Sequence, residues 1–275
     1  MNRHEDFLRF RETYPVFSYH SYQIKRHDHE IVLSFDFAIL GLAQFRPIIK
    51  INTENLKIVN PPDSPAARKI VFCLGMTEAV SYLKAVCPPR MRVACGALAA
   101  EELAFWKKLY FNGLGEFFHI NGIGVSMDDF LEIEAPLPEK NAEQKDDFVS
   151  SGKNIIPIGG GKDSAVTAEL LKEFHDDNLF FTVNSQTART ETVLTGGYGE
   201  ERIIKTARAI DPNLLGLNRR GFLNGHTPFS AIVAFLSLYC AYLTGADYIV
   251  LSNESSANEP SVAESGVNHQ YSKSF

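Results

Sequence analysis

Apolar and polar positions interleave in short runs over the first third of the chain. Ile31-Val32-Leu33-Ser34-Phe35-Asp36-Phe37 and Phe45-Arg46-Pro47-Ile48-Ile49-Lys50-Ile51 read as half-buried strands. The run Asn60-Pro61-Pro62-Asp63-Ser64-Pro65 breaks that pattern. Helical stretches are predicted over 66–85, with Val71, Leu74 and Val80 loosely spaced, and over 97–110, where Leu98, Leu103, Trp106 and Tyr110 form a stripe.

The pattern changes after residue 152. Asn154-Ile155-Ile156-Pro157-Ile158 predicts a short buried strand, 159–164 a loop, and 165–174 a helix with Val166, Leu170 and Phe174 at i, i+4 and i+8. A second strand is expected over 179–183 and a helix near 188–194. The segment 202–207, a long helix over 228–243 and a strand over 248–251 follow. Strands alternating with helices imply a parallel sheet with crossover helices.

A length of 275 residues predicts about two domains. The boundary is marked by charge. The stretch 128–147 holds eight acids and two bases, which alone equals the net charge of −6; the rest of the chain balances. With Pro136 and Pro138 and no periodicity, it reads as a solvated linker. The expected organisation is an α+β domain over 1–130, an acidic linker over 131–152, and an α/β domain over 153–275. No global basic field would capture nucleic acid or anionic lipid, so neither is an expected partner.

Cys73, Cys87, Cys95 and Cys240 form no C-x-x-C and lie at no zinc-finger spacing, so reduced, mostly buried thiols are expected. His27-Asp28-His29, between two strand candidates, reads as a polar turn rather than a metal site. The charged N-terminus has no apolar core of a signal peptide, and the apolar run 231–243 is too short to span a bilayer. A cytoplasmic protein is expected.

The sharpest chemistry lies in strand, Gly159-Gly160-Gly161-Lys162-Asp163-Ser164, helix. Successive glycines let the backbone adopt positive φ and let a ligand approach the N–H groups. The helix that follows turns its free N–H groups and positive dipole end to the same space, which suits phosphate. Ser164 can add a hydroxyl and Lys162 a mobile charge. Asp163 suits a helix N-cap or a Mg²⁺ bridging phosphate oxygens. The Walker A pattern fails, because Ile156 stands at its first glycine and Asp163 follows Lys162. The dinucleotide pattern fails at Ser164 and at Asn184, which ends the second strand where an acid is needed.

The loop resembles the Ser-Gly-Gly-x-Asp-Ser signature of the PP-loop ATP pyrophosphatase superfamily, with Gly159 in the place of the serine. Further blocks add to it: Ala188-Arg189-Thr190, Leu223-Asn224-Gly225-His226-Thr227-Pro228, Ser252-Asn253-Glu254-Ser255-Ser256-Ala257, and Val267-Asn268-His269-Gln270-Tyr271-Ser272-Lys273-Ser274-Phe275. With Leu109-Tyr110-Phe111-Asn112-Gly113-Leu114-Gly115-Glu116-Phe117, they are similar to the UDP-N-acetyl-α-D-muramoyl-L-alanyl-L-glutamate epimerase family, from about Cys87 onward.

The resemblance implies a parallel-sheet PP-loop domain (adenine nucleotide α-hydrolase-like) after a smaller α+β domain. It implies ATP and Mg²⁺ as cofactors and UDP-MurNAc-L-Ala-L-Glu as substrate. The terminal L-Glu would become D-Glu through an acyl-adenylate, with AMP and PPi released, in peptidoglycan precursor synthesis. Other PP-loop adenylating enzymes, an amide ligase or a tRNA thiolase, are the rival reading; a nucleotide-binding module without catalysis is another. A tRNA enzyme should show a basic face and reactive cysteines, and neither is evident.

Site residues are drawn from the matched blocks, with Asn184 added at the end of the second strand. Gly159, Gly160, Gly161, Lys162, Asp163, Ser164 and Asn184 are expected at ATP and its pyrophosphate, and Asp163 and Glu254 at the metal. Arg189, Asn224 and Asn253 are expected on substrate; His226, Glu254, His269 and Lys273 are candidates for catalysis. Thr227 as N-cap with Pro228 at the first helical position is the plainer reading of the 224–228 turn. The chain stops inside the last matched block, so the PP-loop domain is expected to be incomplete.

Overall fold

The computed structural model describes residues 2–139, 147–253, 255–259, 268 and 270–274. In chain order the elements are α1 (His4–Thr13), β1 (Val16–His27), β2 (Glu30–Ile39), β3 (Ala43–Phe45), β4 (Ile48–Asn52), α2 (Pro65–Leu83), β5 (Arg90–Val93), α3 (Ala100–Gly113), α4 (Gly115–Asn121), α5 (Met127–Phe130) and β6 (Glu132–Glu134). Then come β7 (Asn154–Pro157), α6 (Lys162–Leu170), β8 (Asn178–Val183), α7 (Thr187–Thr195), β9 (Ile203–Ala209), α8 (Pro212–Arg219), α9 (Phe229–Thr244) and β10 (Tyr248–Ile249). The chain is thus a mixed α/β protein.

Strict alternation of buried and half-buried positions along β2 makes it the centre of the first half. It pairs antiparallel with β1 across the Asp28-His29 turn, and with β4 on its other side. The second half lays β10, β7, β8 and β9 side by side, all parallel. β9 then pairs antiparallel with β4, so strands from both expected domains share one ten-stranded sheet in the order β10-β7-β8-β9-β4-β2-β1-β5-β6, with β3 on β2. The segment expected as linker from residue 131 also contributes: β6 pairs parallel with β5.

α2 and α9 pack together on one face. Ser64 caps α2 by accepting from the Ala67 N–H at 3.2 Å, and Pro65 occupies the first turn. Most of α2 from Val71 to Leu83 is buried, which explains the loose spacing read from sequence: a helix enclosed on all sides needs no stripe. Tyr19, Phe35, Phe37, Phe72, Tyr82, Trp106 and Tyr110 fill the main core. A smaller core of Ile156, Ala168, Phe180, Val193, Tyr198 and Ile203 lies under α6 and α7.

One expected stripe is corrected. Val166, Leu170 and Phe174 are 56%, 73% and 46% exposed, and α6 buries Ser164 and Ala168 instead. Phe174 lies beyond the helix, in a 3-10 turn over Lys172–Asp177. Among the described residues no helix is long and apolar enough to cross a membrane. Cys73, Cys87, Cys95 and Cys240 are free, and burial pushes Cys73 up to about 11 and Cys87 up to about 12, which holds both as thiols.

Candidate functional site

The carboxyl ends of the parallel strands gather most of the expected residues. Ile156 and Ile158 are buried and fix the end of β7, where the Ile158 N–H donates to the Phe181 carbonyl at 2.8 Å. The chain then leaves the core: Gly159, Gly160 and Gly161 are exposed. Gly160 has φ +85°, a conformation that side chains disfavour. At Gly159 and Gly161 a Cβ would meet nothing within 4 Å, so the loop faces open space.

The helix begins three residues earlier than the apolar pattern predicts. Gly161 is the N-cap and supplies no side-chain cap, which leaves the first N–H groups of α6 unclaimed by any side chain. Asp163 therefore lies inside the first turn, and the capping role read for it is corrected. Among the described residues neither Lys162 nor Asp163 has an ion-pair partner. The buried Ser164 hydroxyl donates to the Gly161 carbonyl at 3.0 Å and braces the turn.

The next strand end is tied to this loop. Asn184 adopts φ +61°, donates its N–H to the Thr206 carbonyl at 2.7 Å, and accepts the Arg208 N–H on Oδ1 at 2.8 Å. Arg189 donates from Nη1 to the carbonyls of Val183 and Asn184, and from Nε to Gly159 O at 3.4 Å. Two guanidinium protons, those on Nη2, remain for a ligand. Asn253 is exposed beyond β10, and its neighbour Ser252 shares a hydrogen bond with Thr167 of α6 at 2.8 Å.

A second group surrounds the start of α9. Asn224 Oδ1 accepts from Lys84 Nζ at 3.1 Å, and Lys84 also donates to the Gly225 carbonyl. Burial lowers the Lys84 ammonium to about 8. Asn121 Nδ2 donates to the Asn224 carbonyl at 3.1 Å, and His226 Nδ1 stands 3.8 Å from Glu116 Oε2. The helix starts at Phe229 with Pro228 as N-cap and no side-chain cap, so the Thr227 cap read from sequence is corrected by one position. Lys273 is exposed in a 3-10 turn packed on α3 and α9. Glu254 and His269 lie outside the described residues.

Sequence reasoning missed what joins the two groups. Arg208 binds Glu78 through Nε at 2.7 Å and Nη2 at 2.9 Å, and reaches Ser81 Oγ at 3.0 Å. Its guanidinium lies 6.0 Å from the Phe229 ring at the start of α9, while its N–H holds Asn184. Glu78 was findable: an acid inside the apolar run 71–83 demands a partner. Nothing in the sequence marks Arg208 as that partner. Among the described residues no three His, Cys, Asp or Glu converge on a metal-sized space.

The MurL N-terminal domain family matches residues 9–275 of the chain. The chain is also similar to curated proteins named UDP-N-acetyl-alpha-D-muramoyl-L-alanyl-L-glutamate epimerase. The Xanthomonas oryzae pv. oryzae protein is 32% identical over 218 residues, which cover 78% of this chain and 46% of the relative. The Salinispora tropica protein is 30% identical over 244 residues, 87% of this chain and 52% of the relative. The Micromonospora sp. protein is 29% identical over 263 residues, 94% and 57% respectively. The chain spans about half the length of these curated relatives. No solved structure matches.

Proposed function

The chain belongs to the MurL N-terminal domain family, and from that premise we propose that it binds ATP and epimerises the terminal Glu of UDP-MurNAc-L-Ala-L-Glu. The observation that carries this reading is the uncapped, glycine-lined start of α6 at the end of β7, with Arg189 held against it. Main-chain N–H groups, Lys162 and the Nη2 edge of Arg189 are suited to the pyrophosphate end of ATP. The unpaired Asp163 carboxylate fits Mg²⁺, which commonly takes one or two carboxylates together with phosphate oxygens. The metal would neutralise phosphate charge there.

The chemistry explains why ATP is spent. Deprotonating a carbon next to a carboxylate places two negative charges on adjacent groups. Converting the terminal carboxylate to an acyl-adenylate removes one of them and stabilises an enolate. A base can then take the Cα proton, an acid return one to the opposite face, and water hydrolyse the mixed anhydride to the free carboxylate and AMP. His226, whose Nδ1 stands 3.8 Å from Glu116 Oε2, is one candidate for proton transfer, and Lys273, Glu254 and His269 complete the set. Asn224 and Asn253 are suited to hold the substrate. Lys162 offsets charge as PPi departs.

Calorimetric titration with ATP and Mg²⁺ tests the loop. We expect binding in the wild type, and a loss of roughly tenfold or more in Gly160→Val, whose side chain opposes the positive φ and the approach of phosphate. Equal affinity in Gly160→Val would overturn the assignment of ATP to this loop.

A further inference from the structure

Between α7 and the open face of the sheet lies a cavity of about 230 Å³ that the glycine loop does not account for. Its floor is the seam between the two halves of the chain. Lys50 of β4 stands in register with Ala207 of β9, and the small Ala207 side chain leaves the floor low beside it. Lys205 rises from β9, and Ser185, Arg189 and Thr190 close the side formed by the start of α7. Cations thus come from three elements. Lys50 shares Glu30 at 3.1 Å and Lys205 meets Glu200 at 2.5 Å, so each ammonium has further donor capacity. Arg189 has no carboxylate among its described partners, and it spans from this cavity to Gly159 O.

We propose that this cavity is a second nucleotide subsite, which takes a nucleoside diphosphate, namely the uridine diphosphate end of the substrate. The inference rests on the epimerase reading above and adds where the sugar nucleotide lies. Lys50, Lys205 and one of the two Nη2 protons of Arg189 meet the diphosphate, while the other Nη2 proton serves the glycine loop. Glu30 and the Ser185 and Thr190 hydroxyls offer partners to ribose hydroxyls, and the Ala207 floor admits a flat base. The space is below the roughly 300–1,000 Å³ of sites that enclose a whole drug-sized ligand, so it fits a nucleoside end while the sugar and peptide project outward. Arg189 then touches both subsites, and the reacting end of one molecule can be set against the phosphates of the other.

Calorimetric titration of the protein with UDP, and separately with ADP, tests the assignment. UDP is expected to bind, and Lys205→Glu and Ala207→Phe are each expected to weaken it by about tenfold or more, through a lost charge contact and a filled floor. ADP binding should not respond to either change. Both positions are exposed on the sheet face, and circular dichroism reports whether each variant keeps its fold. Absence of UDP binding at about 1 mM would overturn the proposal, as would UDP binding indifferent to both variants. Displacement of UDP by ADP, with both weakened alike, would assign the cavity to the adenosine nucleotide and overturn the uridine assignment. ATP binding at the glycine loop is measured separately, so either result leaves the loop reading standing or falling on its own.

Discussion

Glu78 has no exposed surface, and its carboxylate is held by a guanidinium only 9% exposed. Burial works against the charge of Arg208, but Glu78 outweighs it and raises the pKa further. A buried pair of this kind contributes little net stability when intact, yet it is costly to break from one side. Arg208→Ala should therefore destabilise the protein by about 3–5 kcal/mol in urea denaturation, because Glu78 is left buried without its partner. Glu78→Leu combined with Arg208→Met should recover most of that loss; a double variant as unstable as the single one would refute this account. The same arginine holds Asn184 through its N–H, so the pair positions the strand end beside the glycine loop. From sequence the acid could be seen and its partner could not, because β9 and α2 meet only through the tertiary fold.

At the scale of elements, periodicity located strands and helices better than it located their buried faces. The alternation over 31–37 lies within β2, and the helix expected over 228–243 is nearly coextensive with α9. In α6 the spacing of Val166 and Leu170 was helical but belonged to the exposed face, and Phe174 lay beyond the helix. Residues two apart on a helix point about 200° from one another, so burying Ser164 and Ala168 turns Val166 outward. Small side chains on the sheet-facing side let the helix sit close over β7, a preference that apolar counting cannot detect. Leu170→Lys should accordingly change stability by less than about 0.5 kcal/mol in thermal or chemical denaturation. A loss of several kcal/mol would restore the buried stripe and contradict the packing. β9 left little trace in the sequence, since its exposed Lys205 and Ala207 face the cavity rather than a covering helix.

At the scale of the whole molecule, the succession of strand, glycine loop and helix over 154–170 was legible in the sequence. The joining of β4 to β9 was not, because strand pairing across 155 to 161 residues of chain has no local signature. That seam places the open face of the first half beside the site of the second, and it creates the cavity that Arg189 links to the loop. The decisive question is whether ATP cleavage is spent on the Cα–H bond of the substrate. The direct measurement is to incubate the protein with ATP, Mg²⁺ and UDP-MurNAc-L-Ala-L-Glu in D₂O and follow the Glu Cα position by NMR, with PPi release and the Glu configuration determined on the same sample. The account predicts deuterium at Cα, D-Glu and PPi together. PPi release with Cα still protonated and the L configuration kept would contradict it.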